Sequence, residues 1–266
     1  MTDSLTRQVH ALMREVADSV VMPRYQALAS HEIIEKEPGD LVTVADRESE
    51  IRLSEGLARI LPEAAIVGEE ACHADPSLIE RLGDSLCWII DPIDGTRNFA
   101  AGKPPFGLMI ALAENGETQA GWIWDPIQNR LCHARLGEGA FIDGERVSAR
   151  TTGQNPPVAA ISMVFMDDAQ RERVKASIAP FYELADIPYC AAEQYPRLAL
   201  GVNDLSIFER TLAWDHAAGA LWLNEAGGKV ARPDGSPYRT DEWDRKGMIG
   251  AASPALWDEL AERLNA

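Results

Sequence analysis

The chain has 266 residues, of which 46% are hydrophobic and 25% are charged, and its formal net charge is −17. These values are typical of a globular protein with a sizeable core, formed by one large domain or by two closely packed ones. The negative charge argues against nucleic acid or an anionic membrane as the main partner, because both require a basic protein surface.

Neither export nor membrane insertion is indicated. The N-terminal sequence is polar and lacks the apolar segment of a signal peptide, and the longest mainly apolar run, 156–166, is far shorter than the roughly 20 residues that span a bilayer. The cysteines are widely separated and include no C-x-x-C pair: Cys72, Cys87, Cys132 and Cys190. Reduced thiols in a cytoplasmic protein are therefore expected, rather than a zinc site or a disulfide framework.

The first 76 residues predict helices that alternate with short strands. Apolar side chains repeat at helical spacing over residues 4 to about 21, and a β-branched strand follows at 41–44. Asp46 ends this strand and opens a second helix, where an N-cap role is one interpretation. A short strand at 66–67 stops at Gly68, before a polar loop predicted for 71–76.

Residues 88–99 read W-I-I-D-P-I-D-G-T-R-N-F. A buried strand is predicted to deliver Asp91 at its end, because Pro92 cannot donate to a sheet ladder. Asp94 follows three residues later, so two carboxylates can converge on a hard cation. A helix starting after Gly95 would point the amides of Gly95 and Thr96 at an anion, although Asp-Pro and Asp-Gly pairs also form ordinary turns.

Successive strands with hairpin signals then predict an antiparallel layer and an α+β fold: 106–113, 120–125, 130–134 and 140–142. Residues 148–157 are polar and rich in chain breakers, which predicts a boundary between an N-terminal α+β half, 1–147, and a C-terminal half, 148–266.

The C-terminal half alternates between strand and helix, as in α/β proteins. The predicted strands are 159–165, 187–190 and 205–208, and the helices between them are 168–181 and 193–200. A further helix is predicted from Trp214 to a stop at Gly227 and Gly228. Asp215 occupies its N-cap position, and His216 is expected to be a neutral structural histidine.

Four segments resemble the signatures of the inositol monophosphatase family, the Mg²⁺-dependent sugar phosphatases. They are D-P-I-D-G-T-R-N-F at 91–99, W-D-H-A-A-G-A at 214–220 with E-A-G-G at 225–228, G-E-E at 68–70 and D-L-V-T-V-A-D at 40–46. Their order and approximate spacing are those of the family, so the resemblance covers nearly the whole chain. It implies a layered αβαβα sandwich, a homodimer and inhibition by lithium.

The resemblance also implies two or three Mg²⁺ ions in the active site. One ion would be held by Glu69, Asp91 and the Ile93 carbonyl, a second by Asp91, Asp94 and Asp215, and a weaker third would lie near Glu69 and Asp46. Carboxylates a few Å apart raise one another's pKa, so such a cluster requires cations to stay ionised.

The implied reaction is hydrolysis of a small phosphomonoester by water, with Glu69, Thr96 and Asp46 as catalytic residues. Asp46 can serve this site and also cap its helix. The implied phosphate and substrate contacts are Asp94, Gly95, Thr96, Cys190, Ala191, Glu209, Arg210 and Asp215.

A polyol or sugar phosphate is the expected substrate. Tyr189 and Cys190, however, replace the first two residues of the family's G-[ST]-A-A loop, and Phe208 stands where inositol-type enzymes carry a glutamate, one residue before Glu209. Arg210, and more weakly Arg197, could meet a second phosphate or a carboxylate, or could be surface charges. Histidinol phosphate, 3′-phosphoadenosine 5′-phosphate and a non-catalytic binding role are the alternatives.

Overall fold

The computed structural model describes residues 4–37 and 40–265. Its helices are α1 Ser4–Val16, α2 Val44–Ile60, α3 Glu69–Ala74, α4 Thr96–Ala100, α5 Asp168–Ile178, α6 Ala191–Ala199, α7 Ala213–Glu225 and α8 Pro254–Asn265. A π-helical turn, Ala17–Val21, continues α1 toward Pro23, as the helical spacing predicted.

Two short strands form a hairpin near the N-terminus, β1 Ile33–Glu37 and β2 Asp40–Thr43. A seven-stranded sheet follows in chain order and contains β3 Ala65–Gly68, β4 Cys87–Asp94, β5 Gly107–Glu114, β6 Glu117–Asp125, β7 Arg130–Arg135, β8 Gly139–Ile142 and β9 Glu145–Val147. It is antiparallel except for the parallel pair β3 and β4.

The second sheet is mixed, with strand order β11-β10-β12-β14-β13. Its strands are β10 Val158–Ile161, β11 Glu183–Ala185, β12 Leu205–Phe208, β13 Lys229–Ala231 and β14 Met248–Ala251. β10 pairs in parallel with β11 and β12, whereas β14 runs antiparallel to β12 and β13.

Five layers result from the way the helices cover these sheets. α1 and α2 pack on one face of the seven-stranded sheet, where Met13, Leu53 and Trp122 share a core. α6 and α7 lie between the two sheets, and α5 and α8 cover the outer face of the five-stranded sheet, where Ile178 and Leu260 are fully buried. This arrangement confirms the predicted α+β fold with αβαβα layers.

The middle core contains residues from both sides of 148–157. Met109 of β5 and Met248 of β14 belong to the same buried cluster, together with Tyr195 and Trp222 from the helices between them. The two halves therefore share one apolar layer, which each would need in order to fold alone. The division into 1–147 and 148–266 stays a prediction.

Several local predictions were wrong. Residues 71–76 are not a loop, because α3 begins at Glu69 and its first amides are capped by a side chain. The strand predicted at 187–190 is displaced to Glu183–Ala185, and the one at 159–165 already ends at Ile161. These short apolar runs carry no signal that separates strand from extended loop.

Among the described residues, no helix has the length and apolar character needed to cross a membrane. The four cysteines are buried free thiols.

Candidate active site

The strand β4 passes through Pro92 instead of ending at Asp91, which corrects the prediction. Its register with β5 shifts between Asp91 and Asp94, where one extra residue is inserted. Side chains three apart on a regular strand point to opposite faces, so this bulge brings the two carboxylates to one side. Pro92 lies within the bulge, where a ladder hydrogen bond is not needed. The Ile93 amide donates to Asp91 Oδ1 at 3.1 Å.

Gly95 follows the two aspartates in a left-handed conformation, with φ +83°. A Cβ at this position would lie 3.0 Å from the Pro105 carbonyl oxygen and 3.2 Å from Cys190 Cβ, so only glycine fits without strain. α4 begins at the next residue, as predicted, and Gly95 and Thr96 line the same cavity as the aspartates.

Asp215 completes the acidic cluster from the first turn of α7. One carboxylate oxygen from each of Asp91, Asp94 and Asp215 lies within 4.8 Å of the others. The N-cap prediction for Asp215 was wrong, because Leu212 occupies that position. The Asp215 carboxylate instead lies among the other aspartates and 3.7 Å from Arg210 Nη2.

Thr96 links this cluster to α2. Its hydroxyl lies 2.9 Å from the Ile93 carbonyl oxygen and 3.1 Å from Asp46 Oδ1. Thr43, not Asp46, is the N-cap of α2. Asp46 stands three residues later in a capping box, and its other oxygen, Oδ2, accepts hydrogen bonds from the Thr43 amide and hydroxyl. Asp46 therefore stabilises the N-terminus of α2 with one carboxylate oxygen and contacts Thr96 with the other.

Glu69 lines the same cavity as the three aspartates. Its carboxylate lies 3.0 Å from Lys36 Nζ, which also contacts Glu70 at 2.8 Å. Lys36 comes from the β1–β2 hairpin, and its side chain is almost fully buried. Burial acts to lower the pKa of Lys36, but the charges of Glu69 and Glu70 raise it above its usual value. Lys36 therefore stays positively charged.

Glu50 holds the segment that carries Glu69. Its two carboxylate oxygens accept hydrogen bonds from the amides of Glu70 and Ala71, at 2.7 and 2.8 Å, and so cap the N-terminus of α3. A Cβ at Gly68 would lie 2.3 Å from the Glu50 carboxyl carbon. The glycine is therefore needed for this close approach.

The C-terminal half contributes a backbone contact to Asp94. Asp94 Oδ2 accepts a hydrogen bond of 2.6 Å from the Ala192 amide, in the first turn of α6. The thiol of Cys190 lies 3.7 Å from the Asp94 carbonyl oxygen. The predicted contacts Cys190 and Ala191 thus lie beside Asp94 along the cavity wall.

The carboxyl groups are too buried and too close together to be ionised without compensation. Burial and then the charge of Glu69 raise the pKa of Asp91 well above its usual range. Burial and the charge of Asp215 raise the pKa of Asp94 to about 7, and burial raises that of Glu69 to about 8 against the opposing charge of Lys36. An all-oxygen donor set with this excess of negative charge fits Mg²⁺.

A single cavity of about 420 Å³ extends from this cluster toward β10 and β12. Glu209, Arg210 and Phe208 line it, as do Phe165 and Tyr189. Glu209 accepts a hydrogen bond from Gln170 at 2.9 Å, and the Arg210 guanidinium lies 4.1 Å from the centre of the Phe165 ring.

Two of the singled-out residues, Asp46 and Arg197, do not line this cavity. Asp46 is buried behind Thr96, and Arg197 pairs with Glu193 on its own helix at 3.0 Å. His216 is a buried histidine of the wall, and burial lowers its pKa to about 4, so it is neutral as expected.

Sequence reasoning missed Lys36, Glu50, the Ala192 amide and Phe165. Lys36 stands between two glutamates and Glu50 lies in a segment of mixed charge, and only their contacts with residues 69–71 distinguish them. A clue was available for Glu50, because it follows Asp46 by four residues and so shares its face of α2.

Comparisons with known proteins agree with this geometry. The model described as "Inositol monophosphatase family" matches residues 1–266. An inositol-1-monophosphatase of Bacillus subtilis is 30% identical over 85% of this chain and 84% of its own. The Nus factor SuhB of Haemophilus influenzae is 31% identical over 93% of this chain and 91% of its own. The solved structure of an IMPase of Thermotoga maritima superposes with a TM-score of 0.80 at 28% identity, over 99% of this chain and 97% of its own.

Proposed function

Because the chain belongs to the inositol monophosphatase family, we propose that it is a divalent-metal-dependent phosphatase that hydrolyses a small phosphomonoester. The observation that carries this proposal is the convergence of Asp91, Asp94 and Asp215 in the cavity that Gly95 and Thr96 also line, where the amides of these two residues would bind an anion. A cation site and an anion site that adjoin in one cavity suit the binding of a phosphate ester.

Mg²⁺ is the proposed cofactor, as two or three ions. The residues that would hold it are Glu69, Asp91, Asp94, Asp215 and the carbonyl of Ile93, with Asp46 close to the weaker third position. When bound, Mg²⁺ would supply positive charge that offsets the carboxylates and the phosphate, and Lewis acidity toward oxygen.

The residues around Thr96 are arranged to orient water. Its hydroxyl can donate to Asp46 or to the Ile93 carbonyl, which leaves the oxygen lone pairs to accept a hydrogen bond from a water molecule. Glu69, which lines the same cavity, would hold the same water. The water oxygen then forms a bond to phosphorus, the ester P–O bond breaks, and the leaving alcohol takes up a proton.

The substrate class is the open part of the proposal. The resemblance to inositol monophosphatases favours a polyol or sugar phosphate, and the Bacillus subtilis relative is named for that activity. Histidinol phosphate and 3′-phosphoadenosine 5′-phosphate are the alternatives within the same chemistry.

Phosphate release with and without Mg²⁺ tests the proposal directly. The panel contains inositol 1-phosphate, histidinol phosphate, fructose 1,6-bisphosphate and 3′-phosphoadenosine 5′-phosphate. Mg²⁺-dependent release from at least one ester is expected. If a folded, Mg²⁺-binding protein releases no phosphate from any ester of the panel, a non-catalytic role is favoured. This role is an alternative because one relative is named as a Nus factor. The homodimer, the lithium sensitivity and the cytoplasmic location stay predictions from the resemblance and the sequence.

A further inference from the structure

We infer that the alcohol half of the substrate carries an aromatic ring, which packs against Phe165 and Tyr189. This inference rests on the proposed phosphatase function, since it places the phosphate at the aspartates and the ring at the far wall of the same cavity. The inference is carried by one observation, which is that the acidic cluster and the aromatic side chains of Phe165 and Tyr189 line the same cavity.

The far wall exposes apolar side chains to an unusual degree. Val164, Phe165 and Tyr189 are 40%, 49% and 52% exposed, and all three line this cavity. Phe208 and Ile187 extend the same wall. Large exposed apolar side chains that cluster at one concave site indicate a binding surface, because their exposure to water is unfavourable unless a ligand covers them.

Two polar side chains of this wall are partly engaged by other protein groups. Glu209 accepts from Gln170, and the Gln194 amide nitrogen donates to Asn203 Oδ1 at 3.0 Å. Gln194 Oε1 and Arg210 Nε are buried and have no hydrogen-bond partner among the described residues, so this wall also offers polar groups beside its aromatic faces.

His216 is engaged at both ring nitrogens. Nε2 lies 3.0 Å from the Arg210 carbonyl oxygen, which can only accept, so the neutral ring carries its proton on Nε2. Nδ1 then accepts from the Tyr195 hydroxyl at 2.8 Å. The His216 ring also packs edge-on against Phe208, with centroids 4.8 Å apart, and so adds an apolar contact to the wall.

Two arginines hold the aromatic rings of the wall. The Arg210 guanidinium lies 4.1 Å from the centre of Phe165, and that of Arg97 lies 5.9 Å from the centre of Tyr189. A guanidinium over a ring orients it and leaves its remaining surface for a ligand. Flat aromatic faces of this kind favour aromatic partners, in offset or edge-to-face contact.

Tyr189 reaches the cavity through a strained backbone. Its φ is +54°, in the left-handed region that a bulky side chain seldom adopts. Strain of this kind persists where the surrounding structure imposes it, and it gathers at ligand sites. The cavity of about 420 Å³ is also large enough for a phosphate and a ring, since small-molecule sites begin near 300 Å³.

Matched phosphonates test the inference without requiring turnover. Binding to the Mg²⁺-loaded protein is measured by calorimetry for 3-phenylpropylphosphonate, 3-cyclohexylpropylphosphonate and 3,4-dihydroxybutylphosphonate. The phenyl compound is expected to bind about tenfold more tightly than the diol, and about threefold more tightly than the cyclohexyl compound. A diol that binds as well as the phenyl compound, or a cyclohexyl group that binds equally, would overturn the inference.

Variants locate the preference on the wall. Phe165→Leu and Tyr189→Leu keep an apolar side chain but remove the ring face, and each is expected to reduce the phenyl preference about threefold or more. Phe181→Leu is the matched control, because Phe181 is similarly exposed but does not line the cavity. An unchanged preference in both wall variants would contradict the inference.

Turnover separates this inference from the proposed function. Release of phosphate from 2-phenylethyl phosphate and glycerol 2-phosphate is compared in Mg²⁺. Release from the glycerol ester alone contradicts the aromatic substrate while supporting the phosphatase. Absence of release from both, with the binding preference intact, contradicts the phosphatase and supports the aromatic site.

Discussion

The carboxylate of Asp94 accepts a hydrogen bond of 2.6 Å from the backbone amide of Ala192, which lies 98 residues later in the chain. This contact joins the bulge of β4 to the first turn of α6. It holds one oxygen of Asp94, and the cluster with Asp91 and Asp215 therefore depends on both halves of the molecule being packed together.

Replacing Asp94 by asparagine tests the acidic cluster. Asp94→Asn keeps an acceptor for the Ala192 amide but removes a charge, so the fold should persist while Mg²⁺-dependent phosphate release falls at least about a hundredfold. The measurements are initial rates and circular dichroism. Asp168→Asn, at an exposed position on α5, is the control and should retain normal rates. Wild-type activity in Asp94→Asn would contradict the assignment of Asp94 to the active site.

The Thr96 hydroxyl can be removed without changing the side-chain shape. Thr96→Val is expected to lower kcat by about a hundredfold or more, because the residue would no longer accept a hydrogen bond from water or donate one to Asp46. Thr96→Ser restores a hydroxyl and should recover much of that loss. Equal rates in the valine and serine variants would show that the hydroxyl has no part in the reaction.

Glu50 is predicted to position Glu69 without touching substrate. Glu50→Gln leaves one acceptor for the two amides of α3, so Glu69 should lose its fixed position and kcat/KM should fall about tenfold, within the range for residues that orient metal ligands.

A titration of rate against Mg²⁺ concentration checks this prediction, and the half-saturating Mg²⁺ concentration should rise. Glu55→Gln, exposed on the same helix, is the control. A purely structural cap would lower the melting temperature but leave the Mg²⁺ dependence unchanged.

The stability of the metal-free protein should depend on pH. The folded-state pKa values of Asp46 and Asp94 are raised to about 7 and that of Glu69 to about 8, above their ordinary values near 4. Between about pH 4 and pH 8 the folded state therefore binds more protons than the unfolded chain, and the free energy of unfolding falls as pH rises.

Mg²⁺ should oppose this loss, because it binds the ionised carboxylates of the folded state. At about a hundred times its dissociation constant, it should raise the melting temperature by about 5–10 °C at pH 8 and by less at pH 5.5. Calorimetric scans in Mg²⁺ and in EDTA measure both shifts. An equal shift at the two pH values would mean that these carboxylates are not the binding groups.

Local patterns in the sequence were enough to predict most helices and strands. The apolar repeat of α1, the hairpins from β5 to β8 and the glycine stop of α7 each involve contacts within a few residues. The resemblance of four short motifs also identified the residues that meet around the cavity. Where the pattern was short or lacked periodicity, as at 71–76 and 187–190, the prediction was wrong because distant contacts determine the backbone there.

By itself, then, the sequence determined most helices and strands through local periodicity, and the resemblance of its motifs implied the layered fold and the acidic residues of the site. Only the tertiary structure decided how they meet. The β4 bulge turns Asp91 and Asp94 to one side, Lys36 and Glu50 reach residues 69–71 from other elements, and Phe165 joins Tyr189 on the cavity wall. Each of these contacts joins segments far apart in sequence, and their packing follows from burial of the shared core, which no short motif encodes.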